Sequence, residues 1–322
     1  MPSFHNAQAR HALYYQSVLR EAEKLYTAGG DYIQSGIQRF REEWANIHAG
    51  QNWAAKYAIE DNTAAFSCSY YAAAGAHLLN LLLHPRERIR WLQAALTAAR
   101  RLNDRAAEGR HLNNLGLAYA ALGDMDAAIT CYRQDLEIAR EIKNRRGEGA
   151  ALGNLGAAYF AMRNLGRAAE LYEQRLAIAI EVGDRRGEAS ALGNLGVIYK
   201  ERGDIQMAIN FYRRDLAIAR EIGDHRGEGA VLGNLGVAYR KLGDPRRAVL
   251  FHRQRLAVAR RLGDRRGEGI ALFNLSLAYN DLGDINQAIA NAEASLRILQ
   301  QIEDPNTAKA QRQLLNWRDR IK

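Results

Sequence analysis

The hexapeptide ALGNLG at 151–156 returns unchanged at 191–196 and recurs as LGNLG at 232–236. Two glycines and an asparagine in so short a stretch are poor helix formers, each costing roughly 0.5–1 kcal/mol relative to alanine. A local cost repeated on schedule implies compensation from packing. Asn114, Asn154, Asn194, Asn234 and Asn274 stand forty residues apart, as do Tyr119, Tyr159, Tyr199, Tyr239 and Tyr279. Self-similarity at that period marks a solenoid array.

Each unit splits in two. Within 184–223, Leu192, Leu195 and Tyr199 lie on one helical stripe, Arg202-Gly203-Asp204 interrupts it, and Ile205, Ala208, Ile209, Tyr212, Leu216 and Ala219 form a second. Gly183-Asp184, Gly223-Asp224 and Gly263-Asp264 punctuate the chain between units. There, a left-handed glycine closes one helix and an aspartate caps the next. The pattern predicts five such units over 104–303, a degenerate unit over 62–103 and further helices over 6–60 around Gly29-Gly30-Asp31. The whole of 1–103 is thus an N-terminal cap region. A helix started by Asp304-Pro305, with Leu314, Leu315 and Trp317 on one face, caps the far end over 304–322.

Leu115, Gly116, Tyr119, Gly123, Ala128, Tyr132 and Leu136 carry a pattern that resembles the tetratricopeptide repeat. With Leu-Gly-Asn at 152–154, 192–194 and 232–234, the forty-residue form is similar to the Leu-Gly-Asn-repeat adaptors and, more loosely, to kinesin light chain. The resemblance implies an all-α, right-handed superhelical solenoid of antiparallel helix pairs, whose first helices line a concave groove. A second resemblance lies in FREEWANIHAGQNWAAKYAIED (40–61) and HPRERIRWLQAALTAARRL (84–102). These look like the region after the nucleotide-binding module of bacterial signal-transduction ATPases with numerous domains, where repeats act as sensors. No G-x-x-x-x-G-K-[ST] loop is present, so nucleotide hydrolysis does not carry over.

In the groove that the resemblance implies, Asn114, Asn154, Asn194, Asn234 and Asn274 would present amides able both to donate to and accept from an extended peptide backbone. The alternative is that each bonds to the neighbouring repeat and sets its spacing. Gly156, Gly196 and Gly236 suit a close approach of paired helices, and Gly153, Gly193 and Gly233 would keep the groove side open. Lys200, Arg240 and Lys241 make a basic centre six and seven residues beyond the asparagines. The adaptors' arginine four residues before the asparagine is matched by Arg110 alone, which argues against a strongly acidic ligand. Arg146, Arg186, Arg226 and Arg266 recur two residues before Glu148, Glu188, Glu228 and Glu268. They read as a surface ion-pair network between repeats, worth well under ~1 kcal/mol per pair, or as a ligand-binding rim. Arg213, Arg214, Arg253 and Arg255 read as a solvated convex face.

The net charge of +9 is dispersed arginine alternating with acids, a weak pull on acidic partners. A nucleic-acid reader, with a tyrosine in every unit to stack on bases, is the rival class. Against it, the tyrosines fall on the packing face. Cys68 and Cys131 have no partner spacing, the N-terminus does not read as a signal peptide, and a cytoplasmic setting follows. The stretch 64–83 lacks charge but holds Ser67, Ser69, Gly75, His77 and Asn80, so it reads as a buried helix rather than a membrane span. No metal, cofactor or catalytic constellation is expected. The functional expectation is a non-enzymatic module binding an extended peptide or protein segment in its concave groove, a sensor or adaptor in bacterial signalling whose partners include a nucleotide-binding signalling domain. Besides a nucleic-acid reader, the alternative is a scaffold that makes its contact through the convex face or the first hundred residues.

Overall fold

The computed structural model describes residues 4–318. Among these the chain forms seventeen α-helices and no strand. The first six are α1 (Phe4–Ala28), α2 (Tyr32–Glu42), α3 (Trp44–Tyr57), α4 (Asn62–Ala74), α5 (Ala76–Leu82) and α6 (Pro85–Arg101). Ten of nearly equal length follow: α7 (Arg105–Ala121), α8 (Met125–Glu141), α9 (Arg145–Ala161), α10 (Leu165–Glu181), α11 (Arg185–Glu201), α12 (Ile205–Glu221), α13 (His225–Lys241), α14 (Pro245–Leu262), α15 (Arg265–Asp281) and α16 (Ile285–Gln301). The last is α17 (Thr307–Arg318). The chain divides into two compact units, one up to Arg163 and one from Asn164 onward.

The turns follow from the sequence. Asp104, Asp124, Asn144, Asn164, Asp184, Asp204, Asp224, Asp244, Asp264 and Asp284 each accept a hydrogen bond from the backbone N–H three residues on, at 2.8–3.1 Å. Such a cap contributes about 1 kcal/mol. The residue before each aspartate is left-handed, with φ between +66° and +89° at Gly123, Gly183, Gly203, Gly223, Gly243, Gly263 and Gly283. Asn103, Lys143 and Arg163 take the same conformation without glycine.

In the second unit, Leu192, Leu195, Ile209 and Tyr212 have no exposed surface. A Cβ on Gly196 would lie 2.5 Å from Cε1 of Tyr212, so the glycine is what lets α11 and α12 close. Gly236 makes the same room for His252, which stands forty residues after Tyr212. In the first unit Gly116 does so for Tyr132. Packing therefore offsets the poor helix propensity of the repeated motif.

A second set of bonds ties four of the second helices to the next first helix. Nε of Arg100, Arg140, Arg220 and Arg260 donates to Glu108, Glu148, Glu228 and Glu268 at 2.8–2.9 Å. Arg105, Arg145, Arg185 and Arg265 pair with the glutamate one turn on in the same helix. Burial alone would push the Glu148 carboxyl up, but bonds from Arg140 and Arg145 outweigh it and hold the carboxyl low. Glu188 has only Arg185, because Ile180 stands where the other units carry the reaching arginine. Arg146, Arg186 and Arg226, given these bonds in the sequence reading, are exposed and take no part. The arginines that do are the immediately preceding residue, one turn from the glutamate, and one reaching from the helix before. Arg266 reaches Asp304 instead, at 2.7 Å.

The first hundred residues differ from a regular repeat. The uncharged stretch 64–83 is not one helix: non-helical backbone at Gly75, φ −131° and ψ 34°, separates α4 from α5, and a Cβ there would lie 2.5 Å from Leu19 Cδ1. No helix among the described residues is long and apolar enough to cross a membrane. Trp44 stacks on Trp91 with ring centroids 5.6 Å apart, joining the two segments that carried the second resemblance. At the far end α17 starts at Thr307, not at Pro305, because the Asp304 carboxylate is taken by Arg266 and Asn306. Leu314 and Trp317 are buried there, while Leu315 faces solvent.

His252 has no exposed surface and neither ring nitrogen has a partner. Burial, with Arg255 and Arg240 nearby, pulls its pKa down to about 3. The unfolded chain takes up that proton near pH ~6.5, so this contribution to stability is complete above that value and lost as pH falls toward the folded-state pKa. His252→Tyr, the residue of the three preceding repeats at this register, is expected to melt higher than wild type, with an advantage that grows as pH is lowered, checked by circular-dichroism melts on either side of neutrality.

Candidate functional site

The five asparagines are all half-buried. Asn154 Nδ2 donates to Asn113 Oδ1 at 2.6 Å, a bond between consecutive first helices α9 and α7. The side chains of Asn114, Asn194, Asn234 and Asn274 have no hydrogen-bond partner among the described residues. The sequence supplies the reason in the second unit. Asn113 is forty-one residues before Asn154, whereas the same offset from Asn234 and Asn274 falls on Gly193 and Gly233, which have no side chain to offer. The repeat-spacing role therefore belongs to Asn154, and the other amides are open.

Three clefts lie between consecutive first helices, each floored by the second helix between them. The cleft of α7, α8 and α9, about 360 Å³, brings Arg110, Asn113 and Asn114 together over Asp135. The cleft of α11, α12 and α13, about 340 Å³, brings Asn194 and Asn234 together with Ser190 over Asp215. The cleft of α13, α14 and α15, about 460 Å³, has Arg255 at its floor and Arg226 at its rim. Asn274 lines none of these. Lys200, Arg240 and Lys241 sit at the C-terminal ends of α11 and α13, outside the clefts. Two of them are already matched with acids: Lys200 lies 3.7 Å from Glu201, and Arg240 pairs with Asp281 of the next repeat at 3.1 Å.

The floor residues escaped the sequence reading. Asp135, Arg175, Asp215 and Arg255 occupy one register in successive second helices, alternating in sign. Asp135 and Asp215 are only 8% and 7% exposed, and no hydrogen bond or ion pair reaches either carboxylate among the described residues. Burial raises the pKa of both to about 7, helped at Asp215 by Asp224. A Cβ on Gly193 would lie 2.7 Å from Oδ2 of Asp215, and one on Gly233 would collide with the Arg255 guanidinium. These glycines thus make room for a charged floor rather than merely clearing a surface. Arg255 corrects the expectation of a solvated convex face: it is half-buried, with its pKa lowered by burial. Arg213 and Arg253 are exposed, as that expectation had it, and each also donates to the Tyr239 or Tyr279 hydroxyl of the following repeat. Arg133 does the same to Tyr159 at 2.5 Å.

The tetratricopeptide-repeat family matches residues 108–181, 147–221 and 187–261, and again 270–301. The chain belongs to that family. No curated protein matches it. Among solved structures, BtubC (BKLC) from P. vanneervenii is similar over 68% of this tetratricopeptide-repeat chain and 92% of its own, at 24% identity and a TM-score of 0.63. A kinesin light chain protein of nearly identical TPR-like repeats from Podosopora anserina covers 60% of this chain, which spans 95% of it, at 21% identity and a TM-score of 0.53. The signal-transduction ATPase with a tetratricopeptide repeat sensor from Pyrococcus horikoshii aligns with 97% of this chain at 17% identity and a TM-score of 0.66. This chain spans 53% of that protein's length. At these identities the likeness shows the fold. Tetratricopeptide repeats in general are protein-interaction scaffolds, and no group of three metal-ligating side chains occurs among the described residues.

The raised pKa at the cleft floor sets a pH dependence opposite to that of His252. The folded Asp215 keeps a proton up to about 7 that the unfolded chain releases from pH ~4 upward, so stability falls as pH rises between the two values. Asp215→Asn is expected to melt higher than wild type above neutrality and to lose that advantage in acid, as calorimetry at the two extremes would register.

Proposed function

We propose that the chain is a non-enzymatic interaction module that holds an extended protein segment along its first helices, in the groove of a tetratricopeptide-repeat solenoid. The observation that carries this reading is the set of half-buried amides at Asn114, Asn194, Asn234 and Asn274 with no partner of their own. A half-buried amide beside a cleft gains from a peptide N–H or C=O that replaces water there. Asn154 adds its free carbonyl to the same row. Arg110 and Asn114 would act together at one end. Lys200, Arg240 and Lys241 would set charge preference along the helix ends, and Asp215 and Arg255 along the cleft floors.

A sensor or adaptor role in signalling is supported by the fold likeness to the repeat sensor of the Pyrococcus horikoshii ATPase, and it makes a nucleotide-binding signalling domain a second partner. Two free cysteines suit a reducing cytoplasm. The nucleic-acid alternative loses support from the tyrosines. Tyr159, Tyr239 and Tyr279 hold arginines of the preceding repeat, and Tyr199 stacks on Phe211, so these rings are not free to take bases.

The test is capture of proteins from a cytosolic extract by wild type and by Asn194→Ala/Asn234→Ala. Because neither side chain bonds within the protein, the variant should keep its melting temperature and lose the captured set. Asn154→Ala should instead cost about 0.5–1.5 kcal/mol of stability through the lost bond to Asn113. A folded double variant that captures the same proteins rules the groove out.

A further inference from the structure

Forty-residue register puts Arg88 of α6 at the position of Ala128, Ala168, Ala208, Ala248 and Ala288. All five alanines have no exposed surface, because the two helices of a repeat touch there. In the sixth case the chain carries the largest of cations at the same place, and Arg88 is only 6% exposed. The partner helix is broken at Gly75: α4 packs on α6, with Ala72 against Ile89 and Leu92, but the short α5 that follows makes little contact with it. The break leaves a cavity of about 150 Å³.

No described residue answers the charge. Nε and Nη2 of Arg88 are closed off from solvent with no hydrogen-bond partner, and no carboxylate of the described residues lies within ion-pair distance. Glu23, which is bound to the cavity-lining His77, is engaged by the backbone N–H groups of His77 and Leu78 and by His77 Nδ1. Tyr132 is the one titratable group that faces the guanidinium, and its hydroxyl is held neutral, pushed up to about 12 by burial. An arginine cannot shed its proton to escape burial, whereas a buried carboxylic acid or lysine can. A buried unpaired cation is among the costliest arrangements a fold can hold. A position that is apolar in every other repeat and charged in this one is the kind of local inconsistency found at binding sites.

The cavity also defines what would fit. Leu79, Leu83, Trp91 and Leu92 give it an apolar wall, while Asn80 and Asn114 supply amides. One cation with amide donors matches one carboxylate, and the apolar wall matches a short hydrocarbon stem. We propose that this cavity binds a carboxylate carried on a short apolar stem, with the carboxylate on Arg88 and the stem against Trp91 and the leucines. Two sources share that chemistry: a free short-chain carboxylic acid, and the C-terminal carboxylate of a polypeptide ending in an apolar residue. The site adjoins the groove at Asn114 but does not depend on the groove being occupied.

The probes are hexanoate against hexanol, and a tetrapeptide ending in leucine as the free acid against its amide. The expected result is a saturable rise in melting temperature with a carboxylate and not with its neutral analogue, together with a shift of the Arg88 Nε–Hε resonance. Arg88→Met keeps the length without the charge. It should be at least as stable as wild type without ligand, and indifferent to both carboxylates. Tighter binding of the peptide acid assigns the site to a polypeptide terminus, and tighter binding of hexanoate assigns it to a free acid. No shift of the Arg88 resonance with either carboxylate, or an equal melting rise in Arg88→Met, overturns the proposal.

Discussion

Where the two helices of a repeat cross, there is room for a methyl group or for nothing. Ala208 fills that space on one side and Gly196 leaves it to the Tyr212 ring on the other, and the same small residues recur through the array. Close approach is what turns a short, weak helix into a stable one, since a seventeen-residue helix with three poor formers in one turn and a half has little stability alone. It also decides where polar groups go. Side chains excluded from the crossing are pushed to its edges, so the amides gather on one face of the first helices and a charge sits under each cleft.

The periodic part of this arrangement was legible in the sequence. Period forty, the glycine-aspartate turns and the capping carboxylates all follow from local rules that a chain states openly. What could not be read was anything requiring two helices at once. The sequence gives Arg146 and Arg145 equal claims on Glu148, and only the packing of the preceding helix brings in Arg140. Arg255 sits in a run of arginines that looks uniformly solvated, yet its register beneath Gly233 turns it into a cleft. Among the candidate site residues, the asparagines were visible as a row. That one of them is tied to Asn113 while its equivalents are open depended on comparing residues forty-one apart rather than forty. The crowding at Gly75 was hidden for the same reason, because it comes from the distant Leu19.

Two kinds of joint alternate along the chain. Within a repeat the helices meet through apolar surface that tolerates almost no change of volume. From one repeat to the next they are also clamped by a buried glutamate between two arginines, a bond whose strength depends on geometry and on both partners being present.

Those clamps are not equal. At Glu188 the arginine from the preceding helix is replaced by Ile180, which stands more than half exposed and offers nothing to the carboxylate. In a linear array each repeat is stabilised mainly by its neighbours, so cooperativity is only as long as its weakest coupling. The seam between α10 and α11 therefore leans more on apolar contact than its equivalents do, with one stitch fewer in the row.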